Sequence, residues 1–201
     1  GLSQVGVEIY GGPLLNSWLD RELRLAGRLV TRDGATHLAA TGPVARIPQL
    51  AVHLDRQVNE GLKLGKQAHT TPVLSLAGSA QEAAEADVLK VIADAAGVAA
   101  DEVDGYDVVV ADSQRPGVFG AEGEFIASGR LDNLSSVHAG VVALEQAAEE
   151  AASGEVIPML AAFDHEELGS ASRSGAAGPF LEEVLGRIYA GLGATVTQRA
   201  Q

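Results

Sequence analysis

From Asp132 onward, hydrophobic residues recur first at helical spacing, then in one continuous run, and then at helical spacing again. Residues 134–153 predict a helix, residues 155–163 a buried strand, and residues 176–192 a closing helix. A helix–strand–helix order is typical of an α/β sheet with crossover connections. The fold class predicted for this part of the chain is therefore α/β.

A β-hairpin is predicted in the preceding part of the chain. Segments 23–31 and 36–41 both have the composition of strands. Between them stand Asp33 and Gly34, and an Asp-Gly dipeptide is a strong hairpin signal because it suits the tight turn. The two segments are therefore expected to pair as antiparallel strands.

Helices and isolated strands surround this hairpin in the predicted order. Apolar residues at helical spacing predict helices over 47–62 and 80–97, the second ending at Gly97. Short strands are predicted at 5–10, 106–113 and 123–129. Because this mixture differs from the later alternation, we expect two architectures in one chain. Sheet pieces of one domain would occupy 1–19 and 119–201, and a β-rich insert would occupy 20–118.

Composition excludes several classes of protein. The formal net charge is −13, with 27 acidic against 14 basic residues, which argues against a nucleic-acid partner. No apolar run approaches the roughly 20 residues that span a bilayer, so no membrane association is expected. The chain has no cysteine, so a bound metal would use His and carboxylate ligands. A cytoplasmic location fits these features.

Two adjacent acids, Glu166 and Glu167, follow the apolar run in the stretch FDHEELGS. Acids at the start of a helix complement its dipole and cap its free N–H groups. Alternatively, neighbouring side chains at a strand end diverge, so one carboxylate can bind a metal while the other handles protons. Both interpretations remain open on local evidence.

A third acid, Asp132, precedes the helix predicted at 134–153. It could be an ordinary N-cap residue. However, strand–helix junctions in open α/β sheets are where ligand sites gather, and this chain has acids at two such junctions. A functional role for the three acids is therefore a reasonable hypothesis.

Four motifs make the sequence similar to a known family. They read GLSQVGVEIYGGPLLNSWLDRELRLAGRLV, ADSQRP, SGRLDNLSSVHAG and AAFDHEELGSASRSGA, and they occur in that order. The chain resembles the aspartyl aminopeptidases over essentially its whole length. Membership implies a dinuclear metal exopeptidase, usually with zinc, that removes N-terminal Asp or Glu from peptides. It also implies a catalytic α/β domain interrupted by a dimerisation domain, and homo-oligomers that assemble to dodecamers.

The resemblance also implies roles for individual residues. Asp132 would bridge two metals, Glu167 would bind one of them, and Glu166 would be the general base. His69, in QAHTTPVL, would reach a neighbouring subunit's active site and hydrogen-bond the tetrahedral oxygen, unless it is only a surface-loop residue. His165 is expected to serve packing or second-layer contacts, because adjacent strand positions face opposite ways.

Several family ligands have no counterpart among these residues. The family supplies a His-x-Asp segment before the GLSQVGVE motif, and an Asp and a His beyond the closing helix. We therefore expect the 201-residue polypeptide to bind zinc weakly and to show little peptidase activity. Manganese or cobalt would also suit carboxylate and His ligands. An alternative is a non-catalytic oligomerisation or scaffold fragment of the same family.

Overall fold

The computed structural model describes residues 1–79, 81, 87–154 and 156–199. The chain divides into two compact units. Unit 1 comprises Gly1–Ile9 and Pro13–Ala127, and unit 2 comprises Tyr10–Gly12 and Ser128–Gln201. Helices and strands are both present, as the α/β prediction required, but every strand in the described residues belongs to unit 1.

A three-stranded antiparallel sheet is the centre of unit 1. Its strands, in sheet order, are β3 (Thr36–Ala40), β2 (Leu23–Thr31) and β5 (Val103–Asp112). The predicted hairpin is confirmed, with Val30 opposite Thr36. Gly34 takes a φ of +82°, a conformation that glycine adopts without a steric penalty. The Asp-Gly dipeptide therefore does form the turn.

The core of unit 1 lies between this sheet and helix α1 (Val88–Ala96). Leu25 and Leu29 on β2 are buried against Ile92 of the helix. The helix ends where predicted, because Gly97 is left-handed and its N–H bonds the carbonyls of Ala93 and Asp94. Its predicted first turns fall on residues 80 and 82–86, outside the described residues.

Two smaller sheets complete unit 1. One pairs β1 (Leu2–Gln4) with β4 (Val73–Leu76), and the other pairs β6 (Gly117–Phe119) with β7 (Phe125–Ala127). The strand predicted at 5–10 was wrong, because the ladder with β4 ends at Gln4. Strands need hydrogen-bonded neighbours, and the short partner limits the length of β1.

The helix predicted at 47–62 was also wrong. This segment forms separate turns, such as those closed by the N–H groups of Leu54 and Glu60. The Asp55 carboxylate accepts a hydrogen bond of 3.1 Å from the Gln57 N–H. Side chains of this kind offer the backbone an alternative to the helical ladder. Helical spacing without a packed apolar face was therefore an insufficient signal, since Leu54 is exposed.

Unit 2 consists of helices and turns in its described part. The helices are α2 (Leu131–Glu150), α3 (Phe180–Gly191) and α4 (Val196–Arg199), and α2 and α3 match predicted helices. The strand predicted at 155–163 was wrong over the described residues 156–163, which have no ladder partner. They are also not buried as predicted, because Val156, Ile157 and Met159 are all more than half exposed. None of the helices described is long and apolar enough to cross a membrane.

Candidate active site

Glu166 and Glu167 lie on a single turn of 3₁₀ helix, Glu166–Leu168. His165 before it and Gly169 after it both have positive φ, at 59° and 91°. The N–H of Gly169 closes the turn on the Glu166 carbonyl at 2.9 Å. With three residues per turn, successive side chains project about 120° apart. The two carboxylates therefore diverge because of a tight helical turn, where the sequence had predicted a strand end.

Neither glutamate acts as the cap of this turn. The N-cap position belongs to His165, which makes no side-chain capping hydrogen bond. Both glutamates are exposed. Both acids lie in the first turn of this short helix, as the helix-start interpretation predicted, but neither occupies its N-cap position.

His165 is held by a serine of the following loop. Its Nδ1 lies 2.6 Å from the Ser172 hydroxyl oxygen, and its backbone N–H donates to the Asp164 carboxylate at 2.8 Å. The predicted packing role fits these contacts, but the strand-based reason for it was wrong, because no strand is present here. His165 ties the turn to the loop that comes after it.

Glu167 packs against a glycine from the other end of the chain. Gly11, at φ +68°, is so close that a Cβ there would lie 2.8 Å from the Glu167 Cβ and 2.9 Å from its Oε2. Only a residue without a side chain fits at this position. Gly11 therefore limits where the Glu167 carboxylate can go, a role that the sequence reasoning missed.

Tyr10, next to that glycine, is a second residue that the sequence reasoning missed. Its pKa is raised, first by partial burial of the phenol and then by the negative charges of Asp164, Glu167 and Glu166. A neutral phenol thus stands beside a group of carboxylates. The Gly-Gly pair after Tyr10 was the one available signal of close packing.

Asp132 lies at the irregular start of α2. Its φ and ψ are −84° and 113°, and the peptide bond to Asn133 is cis. Asp132 and Asn133 both have non-helical backbone angles, so the regular part of the helix begins after them. Asp132 is exposed. It lies just before the regular helix, where the sequence placed it, and the N-cap interpretation stays open.

His69 belongs to unit 1 and lies in a loop before β4. Its ring is exposed, and its Nδ1 accepts a hydrogen bond of 2.9 Å from the Gly65 N–H. In return, the His69 N–H donates to the Gly65 carbonyl at 3.1 Å. The ring is thus held by the backbone of its own loop at an exposed position.

A protein-family profile described as "Aminopeptidase I zinc metalloprotease (M18)" matches residues 1–200. This chain belongs to the M18 family. The "Probable M18 family aminopeptidase 2" of Streptomyces coelicolor is 49% identical over 203 residues, which cover 100% of this chain and 46% of that protein. The family resemblance inferred from the sequence motifs is confirmed.

Solved structures of M18 relatives have the same fold. In a complex of Ape4 with Nbr1, the similar chain has a TM-score of 0.80 and 30% identity, covering 94% of this chain and 40% of that one. The similar chain in the mApe1 dodecamer of S. cerevisiae has a TM-score of 0.69 and 28% identity, covering 93% of this chain and 43% of that one. The chain thus spans less than half the length of these M18 relatives.

Zinc, named in the family description, fits these residues only in part. Asp132 and Glu167 supply carboxylate oxygens, which zinc accepts as ligands, but a zinc site uses about three or four protein ligands. No group of three or more His, Asp or Glu side chains able to hold a metal ion occurs in the described ranges. The described residues therefore fit part of a zinc site and do not make a complete one.

Proposed function

We propose that this chain is part of a metal-dependent aminopeptidase that removes N-terminal Asp or Glu from peptides. The observation that carries the proposal is the turn at Glu166–Leu168, which presents two exposed and diverging carboxylates in a chain of the M18 family. One acid can then remain a proton acceptor while its neighbour is held for metal binding. The Asp/Glu preference is what the resemblance to the aspartyl aminopeptidases implies.

Glu167 and Asp132 are the proposed metal ligands. Glu167 is the more restricted of the two acids of the turn, because it packs against Gly11. A ligand held in place loses less side-chain freedom on binding a metal. Asp132 is exposed, so its carboxylate would be accessible for the bridging role that the family resemblance implies. Zinc supplies Lewis acidity when bound, and manganese or cobalt would accept the same oxygens.

Glu166 is the proposed general base. Its carboxylate would take the proton of the attacking water and return it to the leaving amine. For this it must be close to the metal-binding acid without being a ligand itself. Adjacent positions on a 3₁₀ turn satisfy both conditions, since their side chains start close together and point about 120° apart.

A homo-oligomer is the proposed working state, with the insert at 20–118 as its dimerisation domain. His69 would then act in the active site of a neighbouring copy, where its ring donates to the tetrahedral oxygen. The dodecamer of the S. cerevisiae relative supports an oligomer. The cytoplasmic location also remains a proposal from composition.

The test uses the natural full-length protein that contains this sequence. Glu166→Gln should keep the metal content and lower turnover by about 10²–10⁴-fold, because the amide is nearly isosteric but cannot accept the proton. Asp132→Asn and Glu167→Gln should instead lower metal occupancy first. Chromogenic amides of Asp and of Leu would measure the acidic preference. Near wild-type turnover in Glu166→Gln would rule out the assigned base.

A non-catalytic oligomerisation or scaffold role is the second candidate. It is favoured by the incomplete ligand set in the described residues. Purified 201-residue polypeptide should bind zinc weakly and hydrolyse an N-terminal Asp amide poorly, even in excess zinc, manganese or cobalt. If the full-length protein also lacked metal-dependent turnover, the scaffold role would replace the enzyme. Robust turnover by the 201-residue polypeptide would contradict the ligand count.

A further inference from the structure

The loop before β4 binds its own histidine ring. Gly65 donates its N–H to the His69 Nδ1 at 2.9 Å and accepts the His69 N–H on its carbonyl at 3.1 Å. The two residues thus exchange a reciprocal pair of hydrogen bonds, one through the ring and one through the backbone. Such a pair restricts both the position and the rotation of the imidazole.

This contact determines which ring nitrogen carries the proton. A neutral imidazole has one N–H donor and one acceptor nitrogen. Because the Gly65 N–H can only donate, the His69 Nδ1 must be the acceptor, and the proton is then on Nε2. The other nitrogen of this exposed residue, Nε2, is therefore a hydrogen-bond donor.

The turn that presents the ring is anchored on both sides. Thr70, directly after His69, is only 2% exposed, and its hydroxyl donates to the Lys66 carbonyl. The Thr71 hydroxyl donates to the Gln67 carbonyl at 2.9 Å. Pro72 is fully buried, and its carbonyl accepts the Val5 N–H at 2.9 Å. A ring on a restrained loop is a preorganised hydrogen-bond donor. It loses little conformational freedom when it donates to an acceptor.

We propose that Gly65 is a positioning residue whose backbone N–H fixes His69 as the Nε2–H tautomer, able to donate to an oxygen that develops negative charge. This inference rests on the proposed function, which makes that oxygen the one of the tetrahedral intermediate in a neighbouring copy. The tautomer itself is a property of this loop alone. It can be measured without any enzymatic assay.

The first experiment is ¹⁵N NMR of the 201-residue chain labelled at histidine, with His69→Gln identifying the resonances of His69. The expected spectrum has an unprotonated Nδ1 and a protonated Nε2 for His69 at neutral pH. A protonated Nδ1 would overturn the inference and would leave the proposed function untouched.

The second experiment compares Gly65→Pro with Gly65→Ala. Proline has no N–H, so Gly65→Pro removes the donor. A Cβ at this position would lie 3.7 Å from the His69 Nδ1, an ordinary contact, so Gly65→Ala keeps the donor and is the matched control. The expected result is a mixed His69 tautomer in Gly65→Pro and the wild-type spectrum in Gly65→Ala.

Kinetics of the full-length protein then connect the tautomer to catalysis. Gly65→Pro should lower kcat by at least about tenfold, with KM almost unchanged. The upper limit is the loss of roughly 10²–10³-fold that follows complete removal of an oxyanion donor. Gly65→Ala should retain wild-type values. If Gly65→Pro does not fold, the ¹⁵N spectrum of the wild-type chain still decides the inference, because a protonated Nδ1 cannot accept the Gly65 N–H.

Failure of the positioning role of Gly65 can be distinguished from failure of the proposed catalytic role of His69. If His69 has the Nε2–H tautomer and Gly65→Pro disturbs it while kcat stays unchanged, the positioning role is wrong. If His69→Gln also leaves kcat unchanged, the catalytic role of His69 in the proposed function fails with it. A large kcat loss in His69→Gln but none in Gly65→Pro overturns only the present inference.

Discussion

Units 1 and 2 differ in where their apolar side chains lie. In the described residues, every buried hydrophobic residue belongs to unit 1, including Leu23, Leu25 and Leu29. Both units expose large hydrophobic residues, among them Leu38 in unit 1 and Ile157 in unit 2. Burial of apolar surface is the dominant favourable term in folding. Unit 1 therefore has a core that can stabilise it, whereas the described part of unit 2 has no buried hydrophobic residue.

The candidate catalytic acids belong to the unit without the core. Glu166 and Glu167 are on a three-residue turn, and Asp132 is at an irregular helix start. Such elements depend on specific contacts, such as the bond between His165 and Ser172, for their geometry. The buried hydrophobic residues thus lie in unit 1, and the candidate catalytic acids lie in unit 2.

Hydrogen exchange should show the difference between the units most strongly. In the 201-residue chain, amides of β2 and β5 should open only with global unfolding, and amides of α3 should open locally. We expect protection to differ by about three orders of magnitude or more, since local opening costs far less than global unfolding. Mass spectrometry of exchanged peptides measures this. Equal protection in both units would show that unit 2 is stabilised by contacts not recognised above.

Truncation of a buried side chain in unit 1 should lower the unfolding free energy far more than truncation of an exposed side chain in unit 2. Leu29 is fully buried, so Leu29→Ala should cost about 2–5 kcal/mol of unfolding free energy. Leu134 in α2 is 54% exposed, so Leu134→Ala should change the unfolding free energy by about 0.5 kcal/mol or less. Urea denaturation with an unchanged slope gives both values. Similar costs for the two variants would contradict a core confined to unit 1.

Gly11→Ala tests the fixed position of Glu167. The added Cβ would overlap Glu167 and would also strain a backbone at φ +68°. In the full-length protein, metal affinity should fall by about 10–100-fold, the usual effect of disturbing a ligand's support. Gly12→Ala is the matched control, because a Cβ there would have no neighbour within 4 Å. Metal titration that gave the same affinity for both variants would remove Gly11 from the site.

The smallest expected effect is a pH dependence in the hairpin of unit 1. The Thr31 hydroxyl, and then the Ala35 N–H, hold the pKa of Asp33 below its usual value. A carboxyl whose pKa is lowered by folding adds stability above its unfolded pKa of about 3.9 and loses it as pH falls through the folded pKa. Stability of Asp33→Asn should therefore fall less steeply below about pH 4. Identical slopes in acid denaturation would exclude this contribution.

Local signals predicted the fold well where neighbouring residues decide the structure. The Asp33-Gly34 turn and the end of α1 at Gly97 are examples, because a positive φ is a property of one residue. Prediction failed at 47–62 and at 156–163, where apolar spacing was correct but no partner surface or ladder was present. A hydrophobic pattern indicates which side chains of a segment could be buried. It does not indicate whether another surface or strand is present to cover them.

The candidate site was predicted at the level of residue types. The adjacent acids Glu166 and Glu167 stood out in the sequence, and their assigned roles remain predictions. The contact of Gly11 with Glu167 was invisible, because it joins residues far apart in the chain. The bond from Gly65 to His69 was missed for another reason, since a backbone N–H leaves no mark in the sequence.

The central position of β2 sets an order of assembly. Val30 pairs with Thr36 on one side, across a tight turn, and with Gly105 on the other, across a long stretch of chain. Closing a long loop costs more chain entropy, so the hairpin is expected to form first and β5 to join it later. Substitutions in the hairpin should then slow folding, and those in β5 should mainly speed unfolding. Once β5 has paired with β2, the chain from the end of β3 to the start of β5 is closed into a loop. The turn that carries His69 lies within that loop.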